Sequence, residues 1–249
     1  MSENTVTPYQ GSTDGKKQQV TKMFNTISET YDGLNRVISW GSDVKWRKFV
    51  VQKVAEINPS TVLDVATGTG DLAIALTTIP EVKITGLDIS EGMLAVGREK
   101  IAKKQLSNRI NLVQGDSEQL PFADATFDAV TVGFGVRNFE DLEKGLSEIF
   151  RVLKPNGRLV VLETSIPEKF PFKQGYYCYT NYIMPLIGKL FSKDRSAYRY
   201  LSNSAIHFPY GKKFQQILDK VGYQQTKYYP KTLGGVATCL LYTSPSPRD

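Results

Sequence analysis

Chemistry-bearing residues recur where short apolar runs end. Asp64-Val65-Ala66-Thr67-Gly68-Thr69-Gly70-Asp71 lies between the apolar run 61–66 and a helical apolar pattern over 71–79. Glycines at such a junction let the backbone turn tightly and approach a ligand without interference from a Cβ. Asp88 closes a second apolar run, 20 residues beyond Gly68, where an acid can accept both ribose hydroxyls of an adenosine. Gly115-Asp116-Ser117 follows a third run. A carboxylate there can take the adenine amino group while a backbone N–H meets a ring nitrogen.

Two cofactors fit the loop alone. Gly68-Thr69-Gly70-Asp71-Leu72-Ala73 satisfies the dinucleotide pattern G-x-G-x-x-G/A, with an acid at the right later distance. Asp64, however, sits inside the end of the first run, where a dinucleotide site places apolar residues. A carboxylate there suits the ammonium and sulfonium groups of S-adenosylmethionine and is badly placed beside a pyrophosphate. The Gly115-Asp116 turn adds a pocket for one adenosine rather than two nucleotides. The cofactor expectation is therefore S-adenosylmethionine, with NAD as the alternative. The plainer readings are tight-turn glycines at 68 and 70, a loop-bracing Asp64, a helix-capping Asp88 and a turn residue at Asp116.

These residues need a scaffold that brings strand ends together. Runs 61–66, 83–88, 109–114, 127–133 and 158–163 alternate with helical patterns over 91–105 and 141–153. Later come a helix over 212–220 and strands over 223–229 and 234–241. This rhythm predicts an α/β fold, a doubly wound, mostly parallel seven-stranded sheet covered on both faces. Residues 21–57 read as helical, with Met23, Phe24, Ile27, Tyr31 and Leu34 at three- and four-residue spacing. One domain over 21–241 is expected, preceded by a flexible arm (1–20) and interrupted by a helical, aromatic insertion at 165–209. The prolines of 242–249 mark a disordered or foreign tail.

Composition narrows the function classes. The chain has 249 residues, 41% of them hydrophobic and 22% charged, with a net charge of +6, an ordinary globular balance. Cys178 and Cys239 are far apart in sequence and lack metal-ligand neighbours, so neither a disulfide framework nor a metal site is expected. There is no apolar signal region at the N-terminus. No zinc finger, RNP-like strand or long basic run points to nucleic acid.

The segments MFNTISETYDGLNRVISWG (23–41), VLDVATGTGDLA (62–73), GLDISEGML (86–94), GDSEQLPFADATFD (115–128), FGVRN (134–138), RVLKPNGRLVVLE (151–163) and YRYLSNSAIHFP (198–209) together resemble the quinone-pathway C-methyltransferases. These are the demethylmenaquinone and 2-polyprenyl-6-methoxy-1,4-benzoquinol methyltransferases, often called the UbiE or MenG family. The resemblance spans roughly residues 20–238 and implies the Rossmann-like fold of class I methyltransferases. It also implies cofactor contacts at Thr69, Asp88 and Asp116-Ser117, a substrate-side pair in Arg137 and Asn138, and an N-terminal tyrosine in Tyr31. Gly133 stands where the family often has serine, leaving a backbone contact to the cofactor. Gly41-Ser42-Asp43-Val44-Lys45 lacks the family's frequent histidine, and the chain departs from the family after about Thr238.

The implied reaction is methyl transfer to a ring carbon of a prenylated quinol, demethylmenaquinol before a methoxylated benzoquinol. The carbon becomes nucleophilic when a neighbouring hydroxyl loses proton density, so the enzyme must align two reactants and stabilise phenolate character. Arg137 suits a developing oxyanion, Asn138 can orient the same hydroxyl, and Tyr31 can close over the ring. His207, the only histidine, is the candidate proton acceptor, since an arginine pKa above about 12 makes a poor base. The plainer readings are a salt-bridged Arg137, a packed Tyr31 and a peripheral His207. The aromatics Phe170, Phe172, Tyr176, Tyr177, Tyr179 and Tyr182, with the apolar residues through Phe191, are expected to form an isoprenoid groove or membrane-facing lid. Their alternative is a helical cover on the sheet. The expected setting is cytoplasmic, peripheral to the inner face of the membrane, with homodimerisation left open. Competing functions are a small-molecule O- or N-methyltransferase, an NAD-dependent reductase and a non-catalytic binding protein.

Overall fold

The computed structural model describes residues 6–167, 170–183, 194–231 and 237–243. Helices α1 (Lys16–Ile38) and α2 (Ser42–Ala55) come first. They part at Gly41, whose φ of 73° is open to glycine and strained for most residues, so the helical region 21–57 is broken in two. Next come β1 (Thr61–Val65), α3 (Asp71–Leu76), β2 (Lys83–Asp88), α4 (Glu91–Lys103), β3 (Ile110–Gln114), β4 (Phe127–Gly133), α5 (Leu142–Val152) and β5 (Leu153–Thr164). The chain continues through α6 (Phe172–Cys178), α7 (Arg195–His207), α8 (Lys212–Val221), β6 (Gln224–Lys231) and β7 (Ala237–Thr243).

The seven strands form one sheet in the order β3-β2-β1-β4-β5-β7-β6. Strands β1 to β5 make its parallel body, and β7 runs antiparallel between β5 and β6. Successive side chains of a strand point to opposite faces, and the apolar runs use both. Val62, Ala129, Val160 and Leu162 pack with α2, α3 and α4. Leu63, Val65, Val130, Val132 and Val161 pack with α5 and α8. Winding reverses between β1 and β4, and that reversal opens a crevice at the carboxyl ends of the strands.

Two boundaries differ from the sequence reading. Residues 16–20 already belong to α1 and residues 8 and 9 are tied to the domain, so the segment is anchored at both ends of an exposed stretch over 10–15. Pro8 and Val20 are buried, the Tyr9 N–H donates to Oε1 of Gln19 at 2.9 Å, and the Tyr9 hydroxyl donates to Asp194 at 2.7 Å. Local periodicity could not show this, because Asp194 is brought there by the docking of α7. Val20, Met23, Ile27 and Leu34 share one face of α1 and meet Ala197, Tyr198, Tyr200 and Leu201 of α7, forming a third core that roofs the crevice. Strand β7 also continues through Thr243, pairing Tyr242 with Leu159 and Thr243 with Arg158, two residues past the expected end. Residues 244–249 of the expected tail, and 184–193 of the aromatic insertion, lie outside the described residues.

Candidate active site

The crevice has two connected halves. One, about 680 Å³ including its open mouth, is lined by Gly68, Asp88, Gly115, Asp116, Ser117, Gly133 and Asn138, under Lys17, Val20, Phe24 and Tyr31 of α1. The other, about 590 Å³, is lined by Asp32, Asn35, Asp43, Arg47, Asp64, Thr69 and Asp71. Tyr31, Ala66, Gly68, Gly133 and Phe134 line both. The first half combines apolar walls with the acids Asp88, Asp116, Glu118 and Glu140, of which Asp88 can take the ribose hydroxyls of an adenosine. The second is densely charged, which suits a zwitterionic amino-acid end.

The β1–α3 loop that divides them needs special backbone. Gly68 and Gly70 have φ of 58° and 76°, and Ala66 sits at 53° despite its Cβ. The neighbouring β4 turn presses so close that a Cβ on Gly135 would lie 2.5 Å from that of Ala66. Gly133 lines both halves without contributing a side chain.

Asp88 accepts the Gly68 N–H at 2.8 Å and the Ser90 N–H at 2.9 Å through separate oxygens. Burial raises its pKa against the pull of these N–H groups, and each oxygen keeps further acceptor capacity toward the cleft. Asp64 is almost wholly buried. It accepts the hydroxyls of Thr67 and Thr131, each at 2.6 Å, and burial pushes its pKa up to about 6. It both braces the loop and lines the charged half. The Thr69 hydroxyl donates to Asp32 at 2.6 Å and accepts Lys100 at 3.1 Å. Its side chain therefore ties the loop to α1 and α4, leaving its backbone for any ligand.

Asp116 is already engaged. One oxygen accepts the Glu118 N–H at 2.9 Å and the other accepts Lys17 at 2.6 Å. Lys17 also reaches Glu118 at 3.1 Å, and these bonds, Asp116 first, raise its pKa against burial. Lys16 donates to the carbonyls of Arg137 at 3.2 Å and Phe139 at 2.5 Å. The start of α1 thus fastens two rims of the cleft, a role that nothing in the sequence reading assigned to these lysines.

Beyond the cleft lies a buried polar cluster. Arg137 donates through NH1 to Oε1 of Glu163, and both side chains are buried. Burial is the largest influence and opposes the guanidinium charge, but Glu163 together with Tyr31 and Tyr200 holds the Arg137 pKa above its ordinary value. Oε1 of Glu163 also accepts the Thr164 N–H at 2.8 Å. Asn138 accepts the Tyr200 hydroxyl at 3.1 Å. Tyr31, Tyr176 and Tyr200 converge electrostatically on Arg137. Burial raises all three tyrosine pKa values, that of Tyr200 to about 12. Nε of Arg137 and Oε2 of Glu163 are buried and have no hydrogen-bond partner among the described residues.

His207 is not part of this arrangement. It is exposed at the C-terminal end of α7, its Nδ1 lies 2.8 Å from the Asn203 carbonyl oxygen, and it lines neither half of the crevice. Tyr200 of the same helix reaches the cluster, but His207 is two turns further on, roughly 10 Å along the axis at 1.5 Å per residue. The structure does not bring His207 together with the other expected site residues. Glu163 went unnoticed although it carries the same signal as Asp64 and Asp88, an acid ending an apolar strand.

A seven-stranded doubly wound sheet with a cleft at its switch point, walled by apolar side chains and offering Asp88 as an acceptor, defines a Rossmann-like methyltransferase architecture. A solved S-adenosylmethionine-dependent methyltransferase from Aquifex aeolicus shares this fold, with a TM-score of 0.54 at 19% identity over 78% of this chain and 89% of that one. The chain belongs to the ubiE/COQ5 methyltransferase family, whose profile matches residues 12–242. Among its relatives is a demethylmenaquinone methyltransferase of Bacteroides fragilis, 46% identical over 97% of this chain and 98% of the relative. Another is a ubiquinone/menaquinone biosynthesis C-methyltransferase of Geotalea daltonii, 45% identical over 88% and 94%.

Proposed function

We propose that this chain transfers a methyl group from S-adenosylmethionine to a ring carbon of a prenylated quinol, with demethylmenaquinol as the preferred acceptor. The observation that carries this reading is the Arg137–Asn138 turn. It sits at the rim of the cleft that holds Asp88 and faces Tyr31, Tyr176 and Tyr200, in a member of the ubiE/COQ5 methyltransferase family. The B. fragilis relative's name favours the naphthoquinol, and the Geotalea name leaves the benzoquinol as a second acceptor.

When bound, the cofactor supplies a methyl group on a positive sulfonium. Asp88 accepts the ribose hydroxyls, and the Gly115–Ser117 turn receives the adenine. Gly68, Thr69, Gly70 and Gly133 present backbone only. Asp64 favours the positive end of the cofactor from the charged half. Arg137 holds the quinol oxygen as it gains negative charge, Asn138 orients it, and Tyr31 covers the ring from α1.

The isoprenoid tail requires an apolar exit. Tyr179 donates to the Ile38 carbonyl at 2.7 Å, which joins the α6 region to the α1–α2 corner. Trp40 at that corner, and Phe170 and Tyr182 on either side of α6, are at least three-quarters exposed, and Phe172, Tyr177 and Ile183 are exposed as well. We assign this surface to the bilayer interface, where aromatic rings are favoured. No helix among the described residues is long and apolar enough to cross a membrane, and contact from one side is the corresponding mode.

Incubation with labelled S-adenosylmethionine and chemically reduced demethylmenaquinone, followed by mass analysis, tests the assignment. A quinol heavier by one methylene unit is expected. No mass gain under reducing conditions overturns it.

A further inference from the structure

We infer that Glu163 is the proton acceptor of the reaction, working as a unit with Arg137 on one substrate hydroxyl; this deepens the quinol reading and rests on it. Two unpartnered atoms carry the inference. An unsatisfied buried polar atom is destabilising, and a native fold that keeps one calls for a reason. Here there are two, Oε2 of Glu163 and Nε of Arg137, on side chains already bonded to each other. One is an acceptor and the other a donor. A hydroxyl group satisfies both at once, donating its hydrogen to Oε2 while its oxygen accepts from Nε. A carboxylate or phosphate ligand has no hydrogen for Oε2, and an ammonium has no lone pair for Nε.

The surroundings select the kind of hydroxyl. Oε1 of Glu163 is occupied by Arg137 and Thr164, so the base function belongs to Oε2 alone. Arg137 faces the carboxylate from the β4 turn, Tyr176 from α6 and Tyr200 from α7, while Tyr31 of α1 faces Arg137. No other charged or titratable partner is resolved against it among the described residues. Three aromatic rings around a donor–acceptor pair suit a planar phenolic hydroxyl. Sheet register explains why the pair meets: Gly133 of β4 is aligned with Leu162 of β5, so Glu163 and the β4 turn emerge side by side at the same sheet edge.

The step balances. The ring O–H bond breaks, its proton moves to Oε2 of Glu163, and its electron pair stays with the ring under the charge of Arg137. The activated carbon bonds to the methyl group as the methyl–sulfur bond breaks, leaving that electron pair on sulfur. The carbon then releases its own hydrogen as a proton, and the oxygen recovers the proton held by Glu163. One proton is released per methyl group transferred.

Glu163→Gln keeps the shape and the bond to Arg137 but removes the basicity. The test compares wild type and this variant for kcat across pH on chemically reduced demethylmenaquinone, with S-adenosylmethionine binding followed by calorimetry as the measure of folding. General base catalysis contributes on the order of 10²–10⁴-fold, so kcat should fall by at least about 100-fold while cofactor affinity stays within about threefold. The acid limb of the kcat profile should move to higher pH, where the variant recovers rate as the quinol ionises by itself. A variant that binds cofactor and keeps both wild-type kcat and pH profile overturns the inference and leaves the quinol reading intact. If the variant loses cofactor binding, wild type decides: a kcat with no acid limb from about pH 4 to 9 overturns it. If wild type transfers no methyl to the quinol, the reading fails and takes the inference with it.

Discussion

Replacing Asp64 by Asn should make the protein more stable at neutral pH while impairing its cofactor site. Asp64 is enclosed at the end of β1, and its two short hydroxyl bonds only partly offset the loss of water, leaving its pKa at about 6 against 3.8 in an ordinary carboxyl. Below about pH 4 the group is protonated in both folded and unfolded chains and has no linkage effect. Between that point and about pH 6 the unfolded chain has lost its proton and the folded chain has kept it, so the folded state binds more protons and stability falls as pH rises. At about 1.36 kcal/mol per unit the loss is complete near neutrality at roughly 3 kcal/mol. Asn has no proton to exchange, and the Thr67 and Thr131 hydroxyls can still bond to its amide. Urea unfolding of both proteins at intervals from about pH 4 to 7 isolates this group, because carboxylates common to both cancel in the difference. The variant should gain about 3 kcal/mol relative to wild type over that interval, worth some 6–12 °C in melting temperature for a chain of this size. Parallel stability–pH curves would refute the reasoning.

Other perturbations test the remaining contacts. Arg137→Met strands a charged Glu163 in the interior and should cost about 3–5 kcal/mol of stability; adding Glu163→Leu should regain most of it, and a double variant less stable than the single refutes the pairing. Lys17→Met frees Asp116 from a half-exposed ion pair worth up to about 1 kcal/mol, so S-adenosylmethionine should bind up to about fivefold more tightly by calorimetry. Weaker binding would show that Lys17 helps to hold the cofactor. Asp88→Ala removes the ribose acceptor and orphans the Gly68 and Ser90 N–H groups; affinity should drop about 100-fold, from two charge-assisted bonds of roughly 1.5 kcal/mol each, and a loss under threefold refutes the assignment. Trp40→Ser combined with Phe170→Ser should lower partition onto anionic vesicles about tenfold, at roughly 25 cal/mol per Å² of apolar surface withdrawn, with methylation of a water-soluble short-chain quinol unchanged.

Much of the scaffold could be read because strands and helices write their own periods into the chain. Apolar runs located β1 to β5 within a residue or two, apart from β5, which begins earlier at Leu153. The acids at 64, 88 and 116 stood out because a charge at the end of a buried strand is costly unless it faces a cleft or a partner. The boundaries that shifted were set by distant partners. Residues 6–20 are held by Asp194 and by the packing of α1 on α7, and β7 is extended by its pairing with β5.

The sequence by itself determined the doubly wound sheet, the glycine loop and the acids around it, since each depends on local spacing and on turn chemistry. Tertiary structure decided which side chains meet. It set Glu163 against Arg137 across 26 residues through the β4–β5 register, and it brought Tyr200 onto Asn138 from a helix 62 residues away. It put Lys17 on Asp116, and it left His207 outside on the far turn of α7. Periodicity reports which face of an element is buried, but only register and docking determine what that face touches.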